Sequence, residues 1–375
     1  MKICFVSPGV YYSEELRYHQ QGSESVILGI SKYMARCGHE VIITGRFGEN
    51  IENLKNIEFK DINSPSLKDK PIQEVGSYLI YSKYTAKEIG KEDIDVLSLN
   101  ERFSAYFPSK LGTPKVFTTH NPDAMDFYKK FAVKINKINY IFFDIKQRIE
   151  ESVMRNSDKI IALNDYIHQY LSHKRFNNVI TIPDAIDVKK YTDKSDDNFI
   201  LFAGRLEPVK GIEFLIHAFS LLNPDLDMEL LIIGSGNDQP RLEKIARSKD
   251  ISHKIRFIPM LNKSALREYL SKCTVFVLPS LFETMGTVLL EAMASGKPVI
   301  ASDIPGPNNI IENGNNGFLF RKGNVKELSK SLELLIRNEN LRKEIGLAAL
   351  KTVQKHYTYE KVALDYLKVF NQIVV

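Results

Sequence analysis

The sequence predicts an α/β fold built from two doubly wound parallel sheets, one in each half of the chain. Apolar strands alternate with helices in two successive series, and strand–helix–strand order favours parallel pairing. A polar, acidic stretch over residues 183–198 (PDAIDVKKYTDKSDDN) separates the two series and is typical of a linker. We therefore expect an N-terminal domain over residues 1–185 and a C-terminal domain over residues 196–357.

Length and composition agree with a two-domain globular protein. The 375 residues are enough for two cores, and 51 Lys and Arg against 46 Asp and Glu leave a net charge of +5, too small to indicate nucleic acid as a partner. The three cysteines are scattered, without a metal-type pair. Because the first apolar run is too short for a signal peptide and no segment is long enough to span a membrane, we expect a cytoplasmic protein.

The first half begins with a strand, and a long polar connection then leads to a helix over residues 22–37. Short apolar runs place its strands at residues 3–6, 40–44, 96–99, 116–119, 159–163 and 179–182.

The second half repeats the pattern from residue 199 onward. Its expected strands are 199–203, 229–233, 254–258, 274–278 and 299–301, and its expected helices are 209–222, 240–248, 264–272, 287–294, 340–356 and 359–374. Asn237 or Asp238 is expected to cap the helix that Pro240 starts.

The stretch after residue 278 is the strongest candidate for a ligand site. Residues 280–286 form a loop between a buried strand and a helix, at the sheet edge where open α/β folds bind ligands. The backbone amides of Met285, Gly286 and Thr287 open that helix, and such a helix start favours an anion such as phosphate.

Two carboxylates lie in the same stretch, Glu283 in the loop and Glu291 on the helix. Glu291 is surrounded by apolar residues, where an ionised side chain is costly unless something binds it; the alternative is a partly exposed helix residue. With Gly286 between them, these residues make the sequence resemble the retaining glycosyltransferases of family 4, which carry a Glu-x7-Glu signature. In that family the first Glu contacts the donor sugar and the second holds the nucleotide ribose.

The resemblance implies the GT-B architecture, in which two Rossmann-like domains face a central cleft and the last helix, here about residues 358–375, packs back on the first domain. It also implies a nucleoside-diphosphate sugar as donor, UDP more often than GDP, and a glycan, lipid-linked or small-molecule hydroxyl as acceptor. Retention is usually explained there by same-face attack, with the leaving phosphate assisting deprotonation of the acceptor.

Residues 204–211 (GRLEPVKG) follow the first strand of the second half. The glycine spacing is not that of a P-loop, but Arg205 and Lys210 are two cations at a strand-to-helix corner and could stabilise a leaving diphosphate. The alternative is two solvated surface charges. In family 4 the pattern that begins at Gly204 is the diphosphate-binding corner.

Three further residues acquire candidate roles from the resemblance. His120 ends a strand where the family has a functional His, although a His taken alone at such a position is more often structural. Gly234, in a tight turn after a strand, would let backbone and nucleotide approach closely. Gly22 is the single glycine where the family usually has a pair, and Asp184-Ala185 stands where it usually has Asn-Gly; both departures weaken any transfer of acceptor details.

We expect no cofactor and no metal. The pairs Asp93/Asp95 and Asp225/Asp227 resemble the Asp-x-Asp pairs of metal-dependent transferases. Both precede expected strands rather than following them, so both fall at the sheet edge opposite Glu283.

A basic amphipathic stretch over residues 126–149 suggests contact with the inner face of a membrane. Its apolar stripe consists of Phe127, Phe131, Ile135, Ile138, Phe142, Ile145 and Ile149, flanked by Lys130, Lys134 and Lys137. The alternative is a helix whose apolar stripe faces the protein core.

The sequence therefore predicts a retaining, metal-independent glycosyltransferase of hexosyltransferase type. Two other functions stay open. A sugar-nucleotide 2-epimerase of similar fold is disfavoured because residues 279–283 (PSLFE) lack its Asp-Ser-Gly-Gly pattern. A catalytically silent sugar-nucleotide-binding module is the second.

Overall fold

A computed structural model of the chain describes residues 1–7, 22–45, 47, 54–62, 71–120, 137–194 and 196–374. The chain forms two compact units. Unit 1 comprises Met1–Asp184 together with Tyr359–Val375, and unit 2 comprises Ala185–Thr358.

Unit 1 contains a seven-stranded sheet with the order β3-β2-β1-β4-β5-β6-β7, and its strands pair in parallel. The strands are β1 Lys2–Val6, β2 Glu40–Gly45, β3 Ile57–Asp61, β4 Val96–Leu99, β5 Lys115–Thr119, β6 Lys159–Ala162 and β7 Val179–Thr181. The helices described in this unit are α1 Gly22–Arg36, α2 Pro71–Ile89, α3 Lys137–Arg155, α4 Asp165–His173 and, at the end of the chain, α11 Tyr359–Ile373.

Unit 2 contains a six-stranded parallel sheet with the order β10-β9-β8-β11-β12-β13. Its strands are β8 Phe199–Ala203, β9 Glu229–Ile233, β10 Ile255–Ile258, β11 Val275–Leu278, β12 Val299–Asp303 and β13 Phe318–Arg321. Its helices are α5 Ile212–Phe219, α6 Gln239–Ser248, α7 Lys263–Lys272, α8 Thr287–Ala294, α9 Val325–Arg337 and α10 Glu339–His356.

Central strands of both sheets are buried on both faces, which explains their continuous apolar runs. Every residue of β5, β8 and β11 is buried. Phe117, Phe202 and Phe276 are the large side chains at these positions, and each contributes about 1.5–3 kcal/mol through burial. The predicted fold class, α/β with two Rossmann-like sheets, is confirmed.

Helix α11 belongs to unit 1 although it follows unit 2 in the chain. It packs against α1 and buries one face, which includes Val362, Ala363, Tyr366 and Phe370. The Tyr366 hydroxyl lies 2.9 Å from Thr118 Oγ1 on β5. The last helix of the chain is therefore part of the packed structure of unit 1.

Three sequence expectations differ from the structure. Strands β3 and β13, both at sheet edges, were not predicted, because their segments are short and carry charged residues. The helix expected over 209–222 spans only Ile212–Phe219, since a 3-10 turn over Pro208–Lys210 and Gly211 (φ 62°) precede it. Asp238 occupies the N-cap position of α6 without capping it; its carboxylate accepts a hydrogen bond from Arg241 Nε at 2.6 Å instead.

Most of the basic stretch 126–149 lies outside the residues whose side chains are described. Within its described end, Ile145 on α3 is 43% exposed, whereas Val153 and Met154 further along the helix are buried. No helix in the described ranges is both long and apolar enough to cross a membrane.

Candidate active site

The strand order of unit 2 reverses between β8 and β11, which are neighbours in the sheet. In doubly wound sheets the carboxyl ends of the strands at such a switch point form the ligand crevice. The loop over residues 204–211 follows β8, and the loop over residues 279–286 follows β11. The two segments singled out in the sequence therefore meet at the switch point.

Backbone contacts fix these two loops against each other. The Leu281 amide donates to the Val209 carbonyl at 2.8 Å. Gly211 adopts a left-handed φ of 62°, and a Cβ atom there would lie 2.1 Å from the Pro279 carbonyl oxygen, so a side chain at this position requires the loops to separate. Lys210, the preceding residue, is consequently held over the second loop.

The side chains of Lys210 and Glu283 form an ion pair at the centre of this arrangement. Lys210 Nζ donates to Glu283 Oε2 at 2.6 Å, and the two side chains are only 16% and 15% exposed. Charge-assisted hydrogen bonds of this kind are stronger than neutral ones and fix direction. A cation and a carboxylate, 73 residues apart in the sequence, are thereby held together at the ligand edge.

Arg205 lies in the same corner but is not part of this pair. Its side chain is 65% exposed, and Nη1 donates to Glu207 Oε1 at 2.8 Å. Because an exposed ion pair between neighbours is weak and screened by solvent, Arg205 can exchange Glu207 for another anion at little cost.

Glu291 is half-buried on α8. Burial raises the pKa of its carboxyl, while the charges of Lys263 and Arg267 and a hydrogen bond with Tyr191 oppose that rise. The guanidinium of Arg267 also lies 6.0 Å from the centre of the Tyr191 ring. The sequence indicated that Glu291 needs a partner but not which one, because Tyr191 lies 100 positions earlier.

Gly204, Gly234 and the candidate amides occupy the same edge of unit 2. Gly234 adopts a φ of 156°, and a Cβ atom there would lie 1.8 Å from the Gly204 carbonyl oxygen, so the close approach that requires glycine is between two protein backbones. Helix α8 begins at Thr287 directly after Gly286, and the Met285 side chain is buried beside them. Gly22 is the first residue of α1 in unit 1.

His120 directly follows β5 at the carboxyl edge of the first sheet. Its Nε2 atom is buried and has no hydrogen-bond partner among the described residues. Buried polar atoms are nearly always satisfied, so this nitrogen is a candidate ligand contact. Asp184 is also buried; burial raises the pKa of its carboxyl, and the nearby charge of His120 opposes that rise.

The two Asp-x-Asp pairs lie at the opposite edges of their sheets. Asp93 and Asp95 precede β4, and Asp225 and Asp227 precede β9. Asp95 Oδ2 accepts the Lys2 amide at 2.7 Å. Within unit 2, Asp225 and Asp227 therefore lie at the sheet edge opposite the loops that hold Lys210 and Glu283.

Comparisons with known proteins assign this chain to a class. The family described as "Glycosyl transferases group 1" matches residues 184–352, and the family described as "Glycosyltransferase Family 4" matches residues 21–190. An uncharacterised glycosyltransferase of Methanocaldococcus jannaschii is 30% identical over 345 residues, covering 86% of this chain and 92% of its own length.

Two solved structures share the fold across nearly the whole chain. Sucrose-phosphate synthase from Thermosynechococcus elongatus has a TM-score of 0.83 at 19% identity and covers 99% of this chain and 98% of its own. Anabaena HepE, solved in complex with UDP-glucose, has a TM-score of 0.76 at 15% identity and covers 99% and 100%. These are GT-B structures, and the chain is a glycosyltransferase of that architecture. It belongs to glycosyltransferase family 4, as its Glu-x7-Glu signature indicated.

Proposed function

We propose that this enzyme is a retaining, metal-independent glycosyltransferase of hexosyltransferase type. Its donor is a nucleoside-diphosphate sugar, UDP more often than GDP, and its acceptor is a hydroxyl of a glycan, a lipid-linked sugar or a small molecule. UDP is preferred on family frequency, and the similar fold of Anabaena HepE, solved with UDP-glucose, supports it.

The ion pair between Lys210 and Glu283 carries the proposal. It places a fixed cation and a fixed carboxylate side by side at the switch point, which matches a donor that presents a diphosphate next to sugar hydroxyls. Lys210 and Arg205 would bind the diphosphate, Glu283 the sugar, and Glu291 the ribose. The Met285, Gly286 and Thr287 amides would add donors for the phosphate.

The proposed reaction needs no side-chain nucleophile. The bond from the anomeric carbon to the β-phosphate oxygen breaks, the acceptor oxygen bonds the anomeric carbon on the same face, and the acceptor proton passes to the leaving phosphate. The negative charge that develops on the phosphate is where Lys210 and Arg205 act, because preorganised charges stabilise a transition state without reorganisation. His120 Nε2 is proposed to contact the donor sugar.

We also propose that the basic stretch 126–149 contacts anionic lipid at the inner face of the membrane. Of the two stripe residues whose side chains are described, Ile145 on α3 is exposed and Ile149 is half-buried. The exposure of Ile145 supports this proposal over a stripe that faces the core along its whole length.

A screen with individual sugar nucleotides tests the proposal. Purified protein is incubated with UDP- and GDP-sugars, and both release of nucleoside diphosphate and protection against thermal unfolding are measured. Lys210→Ala and Arg205→Ala are expected to lower release about ten- to a thousandfold, and chelator to leave it nearly unchanged. Lys272→Ala is the matched control, because Lys272 pairs with Asp197 at 3.3 Å at the opposite sheet edge.

The outcomes separate the competing functions. Conversion of one sugar nucleotide into its 2-epimer would indicate the isomerase, and protection without any turnover would indicate a silent binding module. Loss of activity with chelator, or normal rates in Lys210→Ala and Arg205→Ala, would overturn the metal-independent mechanism.

A further inference from the structure

The last two residues of β5 are each fixed by a side-chain hydroxyl. Thr118 Oγ1 lies 2.9 Å from the Tyr366 hydroxyl of α11, and Thr119 Oγ1 donates to Glu150 Oε1 of α3 at 2.6 Å. Successive strand side chains point to opposite faces of a sheet, so one bond anchors each face. All four side chains are buried, and the next residue is His120.

The acceptor of the Thr119 hydroxyl is a charged group in the interior. Glu150 is 3% exposed, and its second oxygen, Oε2, lies 2.9 Å from Arg102 Nη1. Arg102 follows β4, the neighbour of β5. One carboxylate therefore joins the ends of two adjacent strands to a helix.

Stability alone does not account for this choice of residues. Burying an ion pair carries a desolvation penalty, and well-packed apolar side chains of the same volume often stabilise a core equally well or better. What the pair supplies is direction, because the Arg102 guanidinium fixes Glu150, and Glu150 accepts the Thr119 hydroxyl at a defined angle. Threonine is restricted at χ1, so fixing its hydroxyl also fixes the strand end.

His120 needs an external anchor of this kind. Its Nε2 atom is buried and has no hydrogen-bond partner in the described part of the chain, so none of those residues orients the ring through that nitrogen. The backbone that carries the ring therefore contributes to the placement of the ring. We propose that five residues position His120. Thr119, Glu150 and Arg102 act on one face of the sheet, and Thr118 and Tyr366 act on the other.

This proposal rests on the function proposed above, in which His120 contacts the donor sugar. A displacement of about 1 Å at a reacting centre can lower a rate on the order of a hundredfold. Donor affinity depends chiefly on residues of unit 2. Loss of the positioning bonds should therefore lower kcat and leave the KM for the donor nearly unchanged.

Kinetics of matched variants provide the first test. Thr119→Val removes the hydroxyl and keeps the shape, and is expected to lower kcat about ten- to a hundredfold with donor KM within about twofold. Thr119→Ser retains the hydroxyl and should largely restore kcat. Tyr366→Phe removes the bond on the other face and should act in the same direction as Thr119→Val.

Thr85→Val controls for the loss of a buried hydroxyl as such. Thr85 is fully buried in α2, and its Oγ1 donates to the Tyr81 carbonyl at 2.9 Å. The Thr85→Val variant should lose about as much thermal stability as Thr119→Val, without a change in kcat. Equal effects of Thr85→Val and Thr119→Val on kcat would reduce the role of Thr119 to stability and overturn the proposal.

A second readout needs no substrate. The imidazole resonances of His120, identified by their loss in His120→Gln, can be followed by NMR of protein labelled with 15N-histidine. Thr119→Val should shift or broaden them, whereas Thr85→Val should not. If the wild-type enzyme turned over no sugar nucleotide, the proposed function would fail while this measurement still decided the positioning role; unchanged His120 resonances in Thr119→Val would reject it.

Discussion

Lys210 and Glu283 neutralise each other at the switch point of unit 2, and this pairing has a consequence for binding. A diphosphate that binds Lys210 has to compete with the Glu283 carboxylate, whose oxygen is 2.6 Å from Nζ. A donor sugar that engages Glu283 weakens that competition. Diphosphate and sugar should therefore bind better together than the free nucleotide alone.

Glu283→Gln should separate turnover from nucleotide binding. We expect kcat to fall on the order of a hundred- to a thousandfold, because the sugar loses its charged contact. The affinity for free UDP should stay the same or increase, because Lys210 no longer has a competing carboxylate. Steady-state kinetics and calorimetric titration with UDP measure the two quantities.

Glu268→Gln is the control for Glu283→Gln, since Glu268 pairs with Lys194 in an exposed position away from the site. Glu268→Gln should change neither kcat nor the affinity for free UDP. Equal losses of turnover and UDP affinity in Glu283→Gln would make Glu283 a general nucleotide contact or a structural residue.

Asp184 predicts a dependence of stability on pH. Burial raises the pKa of its carboxyl above 3.8, although His120 opposes the rise. The folded state therefore binds the proton of Asp184 more tightly than the unfolded state does. The stability that this proton contributes is fully present below the pKa of the unfolded state, and it is lost as pH rises through the pKa of the folded state. Asp184→Asn, which cannot ionise, should gain stability relative to wild type as pH rises above the pKa of the unfolded state.

Denaturant unfolding at several pH values measures this difference, and Asp365→Asn gives the opposite sign. Burial opposes ionisation of Asp365, but hydrogen bonds from Lys361 and Lys368 hold the pKa of its carboxyl below 3.8. That variant should lose stability relative to wild type as pH rises through the folded pKa of Asp365. A parallel pH response of the two variants would contradict the assignment.

The residues of the site show what the sequence could predict. Lys210, Arg205 and Glu283 each follow a predicted strand. That was sufficient to place them at the same edge of the sheet, because parallel strands share their carboxyl edge. The sequence did not predict that Lys210 pairs with Glu283 while Arg205 turns to Glu207, since that depends on loop conformations set by Gly211 and Pro279.

At the level of elements, burial explains which strands were predictable. Central strands such as β8 are buried at every residue and therefore read as continuous apolar runs. Edge strands β3 and β13 have one neighbour each, and each buries a single residue. Their sequences, IEFKD and FLFR, mix apolar and charged residues and resemble loop segments until the neighbouring strand is known.

The basic stretch that ends in α3 gives the prediction at this level. Vesicles containing anionic lipid should sediment with the wild-type protein at low salt, because apolar residues can enter the acyl boundary while lysines bind headgroups. Binding should weaken with salt and with Lys130, Lys134 and Lys137 changed to Glu.

Changing Lys272, Lys330 and Lys343 to Glu controls for net charge alone in the cosedimentation, because it alters the charge equally outside this stretch. A wild-type protein that stays in the supernatant at low salt would reject membrane contact.

For the molecule as a whole, the division into units predicts the effect of a deletion. Unit 2 is one continuous segment, Ala185–Thr358, whereas unit 1 requires the last helix of the chain. Deleting residues 359–375 removes Tyr366 from Thr118 and uncovers the face of α1 that α11 packs against. We expect unit 1 to lose stability and unit 2 to retain its fold and its protection by UDP.

Hydrogen exchange followed by mass spectrometry measures the two units separately in one sample. Faster exchange confined to unit 1 peptides would agree with this division, whereas equal loss in both units would show that they unfold together.

The late position of α11 also has a consequence during synthesis on the ribosome. Residues 1–184 emerge first, but 174 residues, from 185 to 358, must be translated before the helix that completes unit 1 exists. At about 5–20 residues per second this takes roughly 9–35 s, long compared with the folding time of most single domains. During that interval the nascent first unit exposes the apolar surface that α11 later covers, and a chaperone that binds apolar surface would find its substrate there.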